Sequence, residues 1–109
     1  MMEATRTLGM LVLLSITAAC GGQSFEEGIL AICQSPSQAP VAAAQPSARA
    51  TAAGLWIGQH VTNPEARELF AALAPLPPDQ KAHRARQAAA RAGIDRCPLA
   101  EVWSPRASP

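Results

Sequence analysis

The chain has 109 residues, and nine Lys/Arg against eight Asp/Glu leave a formal charge of +1. That balance excludes the strongly basic face that nucleic acid requires, and the length allows one small domain. With 24 alanines and 10 prolines but only two Phe, two Trp and no Tyr, the core must be thin, and so small a domain is expected to carry a covalent staple.

The N-terminus reads as an address. Residues 1–6 hold one arginine and one glutamate, and residues 8–19, LGMLVLLSITAA, form an uncharged and mostly apolar run. A bilayer-spanning helix needs about 20 such residues, whereas a run of this length followed by small residues fits a secretory signal peptide over 1–19. The "TAA" before Cys20 suits an ordinary signal peptidase. The same stretch, ITAAC, resembles the bacterial lipobox, matching at Ala18, Ala19 and Cys20 and departing at Thr17, where leucine is usual. That resemblance implies cleavage before Cys20, a diacylglyceryl group on its sulfur, further acylation of its amino group, and a membrane-anchored envelope protein. Gly21, in place of the aspartate that retains enteric lipoproteins at the inner membrane, favours the outer membrane; plain periplasmic or secreted export is the alternative.

Past a short tether at 20–23, Ser24 opens SFEE, the capping-box pattern with Glu27. Phe25, Ile29 and Ile32 share one helical face, so a helix is expected to reach Cys33. Residues 34–47, QSPSQAPVAAAQPS, carry Pro36, Pro40 and Pro46, which exclude a regular helix through the segment. A loop that wraps the domain or stays mobile is expected there. Ser47 is placed to cap a second helix over 48–61. Ala50, Gly54 and Gly58 recur every four residues along it, which suggests a narrow packing groove.

TNPEARELFAALAP carries the clearest local signal. Asn63 caps, Pro64 takes the first helical position, Glu65 complements the dipole, and Ala66, Leu69, Phe70 and Leu73 form one apolar stripe. The next helix starts at Pro78 and ends at Gly93, placed for a left-handed C-cap with Ile94 behind it. Ala82, Ala85, Ala89 and Ala92 give it a smooth face. PLAEVW, 98–103, is a short closing helix, and 104–109 is a fraying tail. No stretch alternates long enough for a strand. The expected fold of residues 24–103 is all-α, a small four- to five-helix bundle or orthogonal array.

Three cysteines are odd for an exported chain. With Cys20 lipidated, Cys33 and Cys97 remain, and an exported pair is most simply a disulfide. Two other readings of the pair fit the sequence less well. Redox chemistry lacks a CxxC arrangement. A metal site would add His60 and His83, but those ligands are spread far more widely than compact pairs. Phosphate loops, nucleophile elbows and HExxH pairs are missing, so no cofactor and no catalytic residue is expected. Glu26–Glu27 diverge around a helix, and Ser35, Ser37, Ser47 and Ser104 have no orienting base nearby in the sequence.

The helix after Asp79 is basic through Lys81, Arg84 and Arg91, with Arg86 to one side. On a tethered domain such a stripe, or an exposed Trp56, offers a surface for anionic lipid or for a partner; a solvated face and a core filler are the plainer alternatives.

LAICQSP, NPEARELFAALA and RQAAARAGIDRCPLAEVW together resemble the small two-cysteine helical domains of predicted lipoproteins and secreted proteins of myxobacterial type. The matching positions are Cys33, Pro36, Asn63, Cys97, Pro98, Leu99 and Ala100, over about residues 28–103. The resemblance implies architecture and brings no activity with it. The expectation is therefore a non-enzymatic, lipid-anchored envelope module with an envelope protein as partner. An apolar small-ligand carrier lined by Ala82, Ala85 and Ala89, and a secreted thiol or metal protein, are the alternatives.

Overall fold

The computed structural model describes residues 22–105. The signal peptide expected at 1–19, Cys20, Gly21 and residues 106–109 lie outside them. The described residues form six α-helices and two 3-10 turns, with no strand among them. In chain order these are α1 (Phe25–Gln34), a 3-10 turn (Ser35–Ser37), α2 (Ala39–Ala42), a second turn (Pro46–Ala48), α3 (Arg49–His60), α4 (Pro64–Leu73), α5 (Pro78–Arg91) and α6 (Pro98–Trp103). The fold is all-α, and one Cys33–Cys97 disulfide staples it.

Helices α1, α4 and α5 begin or end where their own residues dictate. At α1 the Ser24 hydroxyl accepts from Glu27 N at 3.0 Å and the Glu27 carboxylate accepts from Ser24 N at 2.8 Å, which completes the capping box. At α4 the Asn63 side chain accepts from Ala66 N at 2.9 Å, with Pro64 in the first turn. At α5 the chain stops on Gly93, whose φ is +78°. Ile94 N donates to Ala89 O at 2.8 Å and Gly93 N to Ala90 O at 3.1 Å, the paired bonds of a Schellman stop.

Residues 34–48 wrap the domain as a strap of short helical turns. Each of its prolines stands in the first positions of a turn, where no helical N–H is needed. Proline therefore forbids one continuous helix here but starts three short ones. The strap feeds the core: Val41 and Ser35 are both 0% exposed, and the Ser35 hydroxyl donates to Ile32 O at 2.8 Å.

Two local expectations for α3 are corrected. Ser47 does not cap it, because Ser47 lies inside the second 3-10 turn, which runs straight into the helix through Ala48 with no side-chain cap. The Ala50/Gly54/Gly58 face is not a packing groove: a Cβ built on either glycine meets nothing within 4 Å. The helix instead buries Ala53 and Ile57 on its other face, followed by Val61. The close helix approach occurs elsewhere. A Cβ on Gly28 would lie 2.7 Å from Ala66 Cβ, so α1 and α4 cross at the one α1 position without a side chain.

The closing helix α6 is central. It packs against α1, α3, α5 and the first 3-10 turn, and Leu99 and Ala100 are fully buried. The alanine face of α5 makes this possible. Ala82, Ala85, Ala88 and Ala89 are all buried, and their small side chains let α6 come close. The bridge joins the end of α1 to the residue before α6, with 64 residues of sequence separation. Chain-entropy arguments give such a loop about 4 kcal/mol, a large share of what a small domain has in total.

Candidate functional site

With Cys33 and Cys97 bonded to each other, neither sulfur is a free thiol or a metal ligand. Of the three cysteines, only Cys20 is left over, and it lies outside the described residues. His60 and His83 are likewise apart: His60 ends α3, whereas His83 stands exposed on α5. Three of the four serines have hydrogen-bond partners, Ser35 through Ile32 O. The Ser37 hydroxyl donates to Gln34 O at 2.7 Å, and the Ser104 hydroxyl donates to an Asp79 carboxylate oxygen at 2.9 Å. Glu27 is held below the usual glutamate range first by the Ser24 backbone N–H and then by the Ser24 hydroxyl, with slight desolvation opposing. Its partner is a helix cap.

The basic residues of α5 face three different neighbours. Lys81 Nζ stands 5.6 Å over the Trp103 ring of α6. Arg91 lies 5.1 Å over the Phe25 ring of α1 and 3.5 Å from the Glu65 carboxylate of α4. Arg86 reaches Glu101 at 3.1 Å and Ser104 O at 3.1 Å. Arg84 is exposed and lines a shallow cleft with Leu69, Gln87 and Arg91. Three of the four cations thus tie α5 to the rest of the domain. The exposed Arg91–Glu65 pair contributes at most about 1 kcal/mol, and cations over rings a similar amount.

Trp56 occupies another surface. Its ring stacks on His60, with centroids 4.2 Å apart and planes 14° from parallel. The pair lines an open cleft with Pro40, Ala52, Leu55 and Gln59. Leu55 is 67% exposed, the most exposed large apolar side chain of the described residues. The structure therefore does not bring Trp56 together with Lys81, Arg84 and Arg91 in one site.

Sequence reasoning missed what holds the edge of this surface, which is Gln23. Its side-chain oxygen accepts from Thr62 N at 2.9 Å and Asn63 N at 3.1 Å, while its amide donates to His60 O at 3.4 Å. Asn63 Nδ2 donates back to Gln23 O at 3.2 Å. Gln23, two residues before α1, is thus fastened to the end of α3. Arg67 of α4 strengthens the same corner by donating to Val61 O at 2.7 Å and Gly58 O at 3.3 Å, a cation where the α3 dipole is negative. Neither contact leaves a sequence signal, because each joins residues distant along the chain or separated by a turn.

On the alanine face of α5, Ala82 and Ala85 are buried, at 0% and 4% exposure. A cleft of about 520 Å³ touches that face at its end, through Ala89, and is lined besides by Ala90, Ile94 and Cys97 and by the charged Arg86, Asp95, Arg96 and Glu101. No helix among the described residues is long and apolar enough to cross a membrane. No family model, curated protein or solved structure matches the chain.

Proposed function

We propose that this chain is an exported, lipid-anchored cell-envelope protein whose helical domain serves as an interaction or structural module and not as an enzyme. The observation that carries this reading is the Cys33–Cys97 bridge. Disulfides persist in oxidising compartments, and this one accounts for two of three cysteines. Cys20 is the remainder, and it stands directly behind the uncharged run 8–19 and the small residues Ala18 and Ala19. A thiol at that position is the acceptor that lipoprotein processing requires. Cleavage before it makes Cys20 the mature N-terminus, with lipid on its sulfur and a further acyl chain on its amino group. One chain holds a protein only marginally at a membrane, whereas two or more anchor it stably.

The anchored domain is presented from the outer membrane to an envelope protein. Intact-mass measurement on protein extracted from its native membrane tests this. The expected mass begins at Cys20, carries acyl chains, and gains two hydrogens on reduction. A chain that begins at Met1 or Met2, or one whose Cys33 and Cys97 are free thiols before reduction, overturns the reading.

A further inference from the structure

We propose that the face formed by Pro40, Leu55, Trp56 and His60 rests on the lipid bilayer that carries the anchor, with Leu55 and Trp56 seated at the headgroup level. This rests on the anchored reading above and adds the orientation of the domain.

Four observations converge on the same occupant. The first is where the described chain begins. Gln23 is bonded to His60 O, Thr62 N and Asn63 N, so the polypeptide leaves the domain at the C-terminal end of α3. Three peptide units separate Cys20 from Gln23, a reach of at most about 11 Å. Leu55 lies five residues before His60, about 7.5 Å along the helix axis. The anchor point and the apolar face are therefore close neighbours.

The second observation is chemical. Trp56 is half-buried and stacked on His60, and Leu55 projects at 67% exposure beside it. An amphipathic ring next to an exposed aliphatic side chain is the pairing found at membrane interfaces. The third is charge. Between Gly28 and Pro64 there is no acidic residue, and Arg49 is the only Lys or Arg. Arg49 is half-buried and donates to Ala42 O at 3.4 Å. A face without carboxylates avoids both their desolvation at the interface and repulsion by anionic headgroups. The fourth is competition. The basic helix α5 is the other surface suited to lipid, but three of its four cations, Lys81, Arg86 and Arg91, are engaged with Trp103, Glu101, Phe25 and Glu65, which leaves Arg84.

The test uses the full-length protein, processed in its host, extracted and reconstituted into phosphatidylcholine–phosphatidylglycerol vesicles, with or without bromine near the top of the acyl chains. Trp103→Phe leaves Trp56 as the only tryptophan, and Trp56→Phe leaves Trp103. Brominated lipid is expected to remove most of the Trp56 emission and to leave Trp103 emission unchanged. Adding Leu55→Glu, at an exposed position that folding does not need, is expected to abolish the Trp56 quenching. Should Trp103→Phe fail to fold, the two-tryptophan chain with and without Leu55→Glu gives the same comparison.

Intact mass of the same sample reads the anchor separately. Acyl chains on Cys20 with unquenched Trp56 would overturn the seated face and leave the anchor standing. Absence of acyl chains overturns both. Trp56 shielded from iodide in solution yet unquenched by brominated lipid would mean that another polypeptide covers the face, and this too overturns the proposal.

Discussion

Two consecutive stretches of equal length, residues 28–64 and 65–101, fold by different means. The first carries one formal charge, Arg49, whereas the second carries eleven. In the second stretch α4 has a cap bond from Asn63 just before it, α5 has a glycine stop, and the helices are tied by charge: Arg86 to Glu101, and Arg91 to Glu65. In the first, neither α2 nor α3 has a side-chain cap. Their places are set by burial of Val41, Ala53, Ile57 and Val61. Local chemistry marks where helices start and stop. Burial marks only that they pack, and the comparison shows that a domain can use both within one core.

The largest break in this comparison comes from the bridge, since Cys33 belongs to the first stretch and Cys97 to the second. Replacing both by serine is expected to cost about 4 kcal/mol in denaturant unfolding without reductant. Under reductant the gap between the two proteins should close. Hydrogen exchange on the double variant should then show the uncapped stretch losing protection before α4 and α5 do; simultaneous loss would show that the stretches are not separable.

Val41→Ala probes the strap. The side chain is fully buried in a one-turn helix, so truncation should cost about 2 kcal/mol in urea unfolding. A loss within experimental error would mean that the strap covers the core without contributing to it.

Two glycine replacements sharpen the contrast between the faces of the first stretch. Gly28→Ala places a methyl 2.7 Å from Ala66 Cβ, and overpacking of that kind costs about 1–3 kcal/mol. Gly54→Ala meets nothing within 4 Å and should stabilise α3 by up to about 1 kcal/mol. Melting temperatures moving in the same direction for both would contradict the packing described for α3.

The smallest effect is at the cap of α1. Glu27 is held below the usual glutamate range by the Ser24 N–H and hydroxyl. A carboxyl depressed in the folded state contributes stability above its unfolded pKa, and that contribution is lost as pH falls through the lower, folded value. Ser24→Ala removes the hydroxyl but keeps the N–H. In an NMR titration the Glu27 midpoint should therefore rise part of the way toward its ordinary range.

Legibility followed the same division. Ser24, Asn63, Pro64 and Gly93 each write a boundary in one or two residues, and the structure places α1, α4 and α5 by them. The disulfide was legible because, on the expectation of export, the pair Cys33 and Cys97 has few alternatives. Ser47 misled because a good capping residue is still overridden when the preceding turn is already helical. The Ala50/Gly54/Gly58 spacing misled because small residues permit close approach without requiring it; Gly28, a lone glycine in an ordinary position, was the one in use. The proline strap hid its turns because the same residue that ends a long helix also begins a short one. Trp56 stood out by residue type alone, but the edge of its face could not be read, since it depends on Gln23 finding Thr62 and Asn63 nearly forty positions away.

The position of the bridge also decides how the folded chain bears tension. A pull on its two ends enters at Gln23, runs down α1 to Cys33, crosses the sulfur–sulfur bond and leaves through α6. Everything between the two cysteines is bypassed, so only the first and last helices lie on the loaded path. A stretched molecule would lengthen by peeling those ends and then stop, with the strap, α3, α4 and α5 held in a closed covalent ring that carries no load.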